Sequence, residues 1–300
     1  MNRGPSPKRD DPPEPGLPNL PSSSARDAAT RTGTHPEPTP LVLTGPEGHG
    51  VPCSVIEIGA GTRRVVFLHG LVGLNEHWED VAHAISSRVR VSLLEIPLLS
   101  LRGDDCTIQG VSAMTAQFLA EHIREPAVLV GNSFGGHVAL RLALEQPRMV
   151  EGLILAGSSG LIEKTMVRGA PTRPTREWLE EKIGELFFDK SRMRETDIDR
   201  AFKELNDRGS ARAMVSLSKS ARRNHLGDQI GQIACPTLLI WGREDVVTPP
   251  QAAEEFYNLL PDARLHWIDA CGHAPMMEAP EEFASASLRF FDELDQRPRA

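Results

Sequence analysis

The sequence predicts an α/β fold built on a mostly parallel sheet. Three observations predict it. Short apolar runs alternate with helix-like stretches from Leu41 onward, the pattern of right-handed strand–helix–strand crossovers. Several runs are continuously apolar and end in Gly, as strands buried on both faces do. One charged stretch, from Leu161 to about Leu226, interrupts the alternation.

The elements follow in order. "LVLT" and "CSVIEIG" read as strands joined by a Gly-rich turn at Gly45 to Gly50, an antiparallel hairpin. "RRVVFLHG" is a buried strand, Trp78 to Ser86 a helix and "VRVSLLEIP" a further strand. Thr107 to Glu125 reads as a helix, with Ile108, Val111, Met114, Phe118 and Leu119 on its apolar side. "AVLVGN" is a strand, Phe134 to Gln146 a helix and "VEGLILAG" a strand. After the interruption come "PTLLIWG", a helix at Pro250 to Leu260, "ARLHWID" and a helix at Glu281 to Leu294.

This gives three parts. Residues 1–40 are rich in Pro, Ser, Arg and Asp and nearly free of large apolar side chains. Such a tail cannot bury enough surface to offset its ordering entropy, so disorder is expected. Residues 41–160 and 227–300 form the core. Residues 161–226 contain "TREWLEEKIGELFF" and "TDIDRAFKELND", helical patterns outside the sheet. An insertion of this kind sits over the carboxyl ends of the strands, where ligands bind, and reads as a helical cap.

Composition narrows the function classes. The net charge of -8 argues against a nucleic-acid partner, which would call for a basic face. No apolar run approaches the roughly 18 residues of a membrane span. Cys53, Cys106, Cys235 and Cys271 are scattered without a CxxC pair, so buried reduced thiols are expected rather than disulfides or a metal site. The first residues, "MNRGPSPKRDDPPEPG", lack the apolar core of a secretory signal, and the cytoplasm is the expected compartment.

The chemistry-bearing stretch is "VLVGNSFGGHVAL". Gly131-Asn132-Ser133-Phe134-Gly135 fits G-x-S-x-G between an expected strand and an expected helix. So tight a turn brings Gly131 and Gly135 together, and a Cβ at either would clash. Ser133 would then be strained and exposed above the sheet. A serine hydroxyl needs a base. His273, in "ACGHAPMMEAPEEF", follows a strand and is the candidate. An imidazole in that role needs a carboxylate. Asp245 and its neighbour Glu244, in "WGREDVVTPP", both follow another strand and end at the same sheet edge. The oxyanion of an acyl-transfer intermediate needs backbone donors. The N–H groups of Phe134 and Leu71 are the candidates, with His69 and Gly70 shaping the second loop.

These residues resemble the α/β-hydrolase superfamily. The resemblance runs from about Leu41 to the C-terminus. It rests on "FLHG" with Trp78 downstream, "GNSFGG", "WGREDVVTP" and "GHAPMMEAPEEF", in that order. It implies an eight-stranded sheet, antiparallel only at its second strand, with a helical cap after strand six. It implies a triad of Ser133, Asp245 and His273, oxyanion donors at Leu71 and Phe134, a small-molecule substrate, no metal and no organic cofactor.

Ser133 stands where haloalkane dehalogenases and epoxide hydrolases of this fold carry Asp. A carboxylic ester or thioester hydrolase is one expectation. The other resembles the hydrolases that cleave a carbon–carbon bond in ring-fission products, on Asn132, "GSSGL" and "ELFFDKSRM". In that case Arg222 or Arg223 would meet a substrate carboxylate, the alternative being a solvated helix face. The loop "HGLVGLNEHW" and Ala274 after the His depart from that group's patterns, and "EIPLLSLRGDD" stands in place of a "DxxGxGxS" stretch found in much of the superfamily. A non-catalytic binding protein of the same fold is the third expectation.

Overall fold

β1 (Thr39–Thr44) and β2 (Gly50–Ile58) form the expected antiparallel hairpin in the computed structural model, which describes residues 36–163 and 174–297. The first strand takes in Thr39 and Pro40, the last two residues assigned to the tail; residues 1–35 lie outside the described ones. β1 buries alternate residues, Leu41 and Leu43, as an edge strand with one covered face does.

β3 (Arg63–Leu68), β4 (Val89–Glu95), β5 (Ala127–Asn132), β6 (Val150–Ala156), β7 (Thr237–Gly242) and β8 (Ala263–Ile268) complete an eight-stranded sheet of order β1-β2-β4-β3-β5-β6-β7-β8. β2 is antiparallel to both neighbours, and every other pairing is parallel. After β3 the chain moves to one side to add β4, then returns to add β5 on the other side. The crevice at the carboxyl ends of β3 and β5 is therefore the topological switch point, where ligands of open α/β sheets bind.

The helices are α1 (Glu79–Ile85), α2 (Ile108–Phe118), α3 (Phe134–Glu145), α4 (Arg176–Gly184), α5 (Glu195–Asn206), α6 (Arg208–Arg223), α7 (Pro250–Leu259), α8 (Pro275–Glu278) and α9 (Pro280–Asp295). Successive strand side chains point to opposite faces. Val66, Leu68, Leu129 and Leu155 join Phe118, Phe134 and Phe256 in one core layer. Val65, Phe67, Val130 and Ile240 join Trp78, Phe283 and Phe291 in the other. Trp78 is fully buried, its ring 5.0 Å from Phe67 and 5.6 Å from Phe283. The residue read downstream of "FLHG" thus locks the start of α1 to the sheet and to α9.

The helix expected over Thr107 to Glu125 is shorter. Thr107 caps α2 by accepting from the Gly110 N–H. The last turn, Leu119–Ile123, widens to π geometry and stops at Arg124 in a left-handed conformation. α8, just after His273, is absent from the sequence pattern, because four residues starting with Pro carry no periodicity.

α4, α5 and α6 lie between β6 and β7. α6 buries Ala213, Leu217 and Ala221, spaced four apart, on the turn at Leu98–Ser100 and on α2. Leu99, Leu179 and Leu205 form a small separate core joining that turn to α4 and α5. Cys53, Cys106 and Cys271 are buried and Cys235 is half-buried, all as free thiols. Among the described residues no helix is long and apolar enough to cross a membrane.

Candidate active site

The turn from β5 into α3 sets Ser133 at φ 52° and ψ −118°, in the region that L-residues rarely adopt. Its N–H donates to Ala156 O at 3.1 Å, and its C=O accepts from Ser159 N at 3.0 Å. The strained residue is thus held from β6. A Cβ on Gly131 would lie 2.5 Å from the Gly135 carbonyl, and one on Gly135 2.2 Å from Leu68 O. Both glycines are required sterically, as expected. A Cβ on Gly136 would meet the Ser158 side chain, so that glycine lets α3 sit close to the end of β6.

Asp245 and His273 follow β7 and β8. His273 Nδ1 lies 2.8 Å from Asp245 Oδ2, and both side chains are almost fully buried. The other oxygen, Oδ1, accepts from the N–H groups of Val247 and Thr248 at 2.8 and 2.9 Å. Thr248 Oγ1 donates to Oδ2 at 2.8 Å. This threonine was not anticipated; a hydroxyl three residues past the acid gives no signal in a single sequence. Gly157 closes the pair's flank: a Cβ there would lie 2.9 Å from both Asp245 Oδ2 and His273 Nδ1. Glu244 does something else. Its carboxylate accepts the Cys271 N–H at 2.9 Å and so braces the loop that carries His273. Glu278 braces the same loop, accepting from Gly272 N at 2.8 Å and Phe188 N at 2.8 Å. Burial raises its pKa against these bonds. The His273 N–H donates to Leu186 O at 2.7 Å, tying the loop to the segment after α4.

The second loop begins at the end of β3. Gly70 O accepts the Gly73 N–H at 3.1 Å, closing a turn with Leu71 and Val72 at its centre. His69 Nε2 accepts from Ile96 N at 3.3 Å, so its Nδ1–H donates to Gly70 O at 2.8 Å. Burial lowers the His69 pKa, which suits this neutral form. The Gly70–Leu71 peptide is planar and trans. Holding Gly70 O therefore constrains one end of that peptide, whose Leu71 N–H points the opposite way. His69 thus links the end of β3 to Ile96 through one ring nitrogen and to Gly70 O through the other.

Asn132 lies next to Ser133. Its Nδ2 donates to Ala156 O at 3.0 Å and to His273 O at 3.1 Å. The residue that hinted at carbon–carbon cleavage is occupied in joining the β5, β6 and β8 ends.

Ser133, His273, Leu71 and Phe134 line one cavity of about 230 Å³. Its walls are mainly apolar, among them Trp178, Leu186, Phe187, Met276 and Met277. Among the described residues two cations line it, Lys182 and Arg200. Arg222 and Arg223 do not; both are exposed. α6 turns Ala213, Leu217 and Ala221 inward, so the two positions after Ala221 point outward. The cavity also holds a second buried His–Asp contact: His77 Nε2 lies 3.0 Å from Asp197 Oδ1. Burial opposes the Asp197 charge, but the hydrogen bond from His77 and the nearby Arg200 and Arg194 prevail and lower its pKa. Among the described residues no group of three His, Cys, Asp or Glu side chains is placed to hold a metal ion.

The model of the alpha/beta hydrolase family matches residues 65–286. The chain is 30% identical over 243 residues to the pimeloyl-[acyl-carrier protein] methyl ester esterase of Nitrosomonas europaea, covering 74% of this chain and 92% of that one. It is 26% identical over 270 residues to the 2-hydroxy-6-oxo-6-(2'-aminophenyl)hexa-2,4-dienoic acid hydrolase of Metapseudomonas resinovorans, covering 84% and 91%. An α/β hydrolase enzyme from the sediment metagenome of the Mar Chica lagoon, Morocco, aligns with a TM-score of 0.66 at 31% identity, over 81% of this chain and 96% of that one. The fold, the order of its motifs and these likenesses agree: the chain belongs to the α/β-hydrolase family and is a hydrolase.

Proposed function

We propose that the protein hydrolyses carboxylic esters through an acyl-enzyme formed on Ser133. One observation carries this reading. A strained Ser133 and the buried Asp245–His273 pair, in 2.8 Å contact, meet at one apolar cavity. The sequence likeness to an esterase supports the ester bond as target.

The steps follow from these atoms. His273 takes the Ser133 proton as Oγ attacks the carbonyl carbon. Asp245 faces Nδ1 and stabilises the imidazolium. The Leu71 and Phe134 N–H groups receive the developing oxyanion; the second stands in the first turn of α3, where backbone donors have no helical partner. His273 returns the proton to the leaving alcohol. Water, activated by the same imidazole, then releases the acid. The three helices after β6 act as a cap, and their apolar side chains give room to an acyl or alkyl chain.

The second reading is carbon–carbon hydrolysis of a dienoate. The Metapseudomonas resinovorans relative favours it, as do the cavity cations Arg200 and Lys182, which suit a substrate carboxylate. A panel of nitrophenyl esters and ring-fission dienoates separates the two. Ser133→Ala should abolish ester turnover and labelling by a fluorophosphonate probe. Wild-type-like turnover in that variant would sink the proposal.

A further inference from the structure

The helix α5 reaches the loop that carries the Leu71 N–H. Arg200 Nη2 donates to Val72 O at 2.7 Å. Asp197, one turn earlier on the same helix, meets His77 Nε2 at 3.0 Å. His77 Nδ1 in turn accepts the Leu74 N–H at 3.3 Å. Arg194, just before the helix, donates to Glu76 O at 3.4 Å. Two side chains of one helical face, joined by Arg194 at the N-terminal edge of the helix, thus grip residues 72–77 of the other loop. Positions 197 and 200 are three residues apart on the helix, so they project to neighbouring places on one side. Arg200 is itself held, 3.5 Å from Asp197 and 3.5 Å from Glu204.

The loop needs such a hold. His69 and the Gly73 N–H fix Gly70 O from the sheet side of the turn. Nothing in those two bonds fixes the far side, the Val72 carbonyl. A turn anchored at one end can rock about it, and the Leu71 N–H rocks with it. Oxyanion donors act only within a few tenths of an ångström of the position where charge develops.

Resting on the serine-hydrolase reading, we infer that Arg200 and Asp197 are positioning residues that hold the oxyanion loop from the cap, so that α5 completes the catalytic geometry of the sheet. They touch the turn, not the reacting atoms. The pocket face of Arg200 offers a rival role, direct binding of a substrate carboxylate. The two roles differ in what they change. A positioning residue acts on the transition state and alters kcat. A uniform binding residue alters KM.

The test uses the full chain, a short neutral nitrophenyl ester and a boronic acid as transition-state analogue. Arg200→Gln should lower kcat by about 10- to 100-fold with KM changed less than about threefold, and weaken boronate inhibition by the same factor as kcat/KM. Arg200→Lys, which can still donate to Val72 O, should recover most of the loss. Asp197→Asn keeps the side-chain size and should show the same split, about threefold to tenfold in kcat; it carries the test if Arg200→Gln fails to fold. A rise in KM at constant kcat overturns the inference, as does an indifferent Arg200→Gln in a wild-type background that is active and labels at Ser133. A wild type that neither turns over ester nor labels at Ser133 overturns the underlying reading and this inference together.

Discussion

The sheet edge and the helical segment over it meet the same cavity by different means. At the sheet edge, backbone places the chemistry. Gly131 and Gly135 leave no room for a Cβ, Ser133 hangs from Ala156 O, and Asp245 is caught by two backbone N–H groups. The helical segment reaches the turn after β3 through side chains, as in Arg200 to Val72 O and Asp197 to His77. Backbone contacts cannot be substituted away one at a time; side-chain contacts can. On the proposed function, the edge would hold the reaction and the segment would adjust it.

The largest effect should come from the edge. Asp245→Asn preserves shape but presents the wrong hydrogen-bonding partner to His273. It should lower kcat by about 10⁴-fold, while Glu244→Gln, which acts only on a supporting loop, should cost at most about tenfold. Steady-state kinetics on a nitrophenyl ester measure both, and equal losses would erase the distinction between the two carboxylates.

A middle-sized effect should arise where the two regions join. His137, on α3, is buried with Nε2 3.1 Å from Asn224 O, just past the end of α6. Burial pushes its pKa down to about 4. The unfolded chain, with its imidazole near 6.5, binds the proton first as pH falls. Stability is thus intact above about 6.5 and is lost as pH drops toward 4, by about 2 kcal/mol at pH 5. Urea unfolding at pH 7 and pH 5 reads the loss, and His137→Gln should flatten it by that amount. An unchanged slope would separate the joint from the titration.

The smallest effect should come from the outward face of the segment. Arg222→Ala and Arg223→Ala should leave kcat/KM within about twofold for a carboxylate-bearing ester, since surface changes away from a site do little. A tenfold rise in KM would restore these arginines as substrate ligands and weaken the division drawn above.

The division also explains what could be read in advance. Strand runs, the G-x-S-x-G turn and the order Ser133, Asp245, His273 all leave marks in a linear chain, because each depends on local residue type. The eight-stranded, mostly parallel sheet and its first hairpin matched those marks. The choice between Asp245 and Glu244 was not local, since both follow the same strand; it rested on the resemblance, and the fold turns Asp245 to His273 and Glu244 to Cys271 N. Arg200 was invisible for a related reason. Helical periodicity says which residues share a face, not which loop that face meets. Arg222 and Arg223 stood out in the sequence by charge, and charge alone is a poor guide to direction.

The free thiols have a practical use. The thiolate is the reactive form. Burial drives Cys53 up to about 11 and Cys235 up to about 12, and it raises Cys106 and Cys271 as well. The native background is therefore quiet toward maleimides at neutral pH. A single cysteine placed on the exposed face of α6, at Arg223, would take a dye almost alone. Paired with a second dye at an exposed core position, it would let fluorescence follow the helical segment against the sheet during turnover.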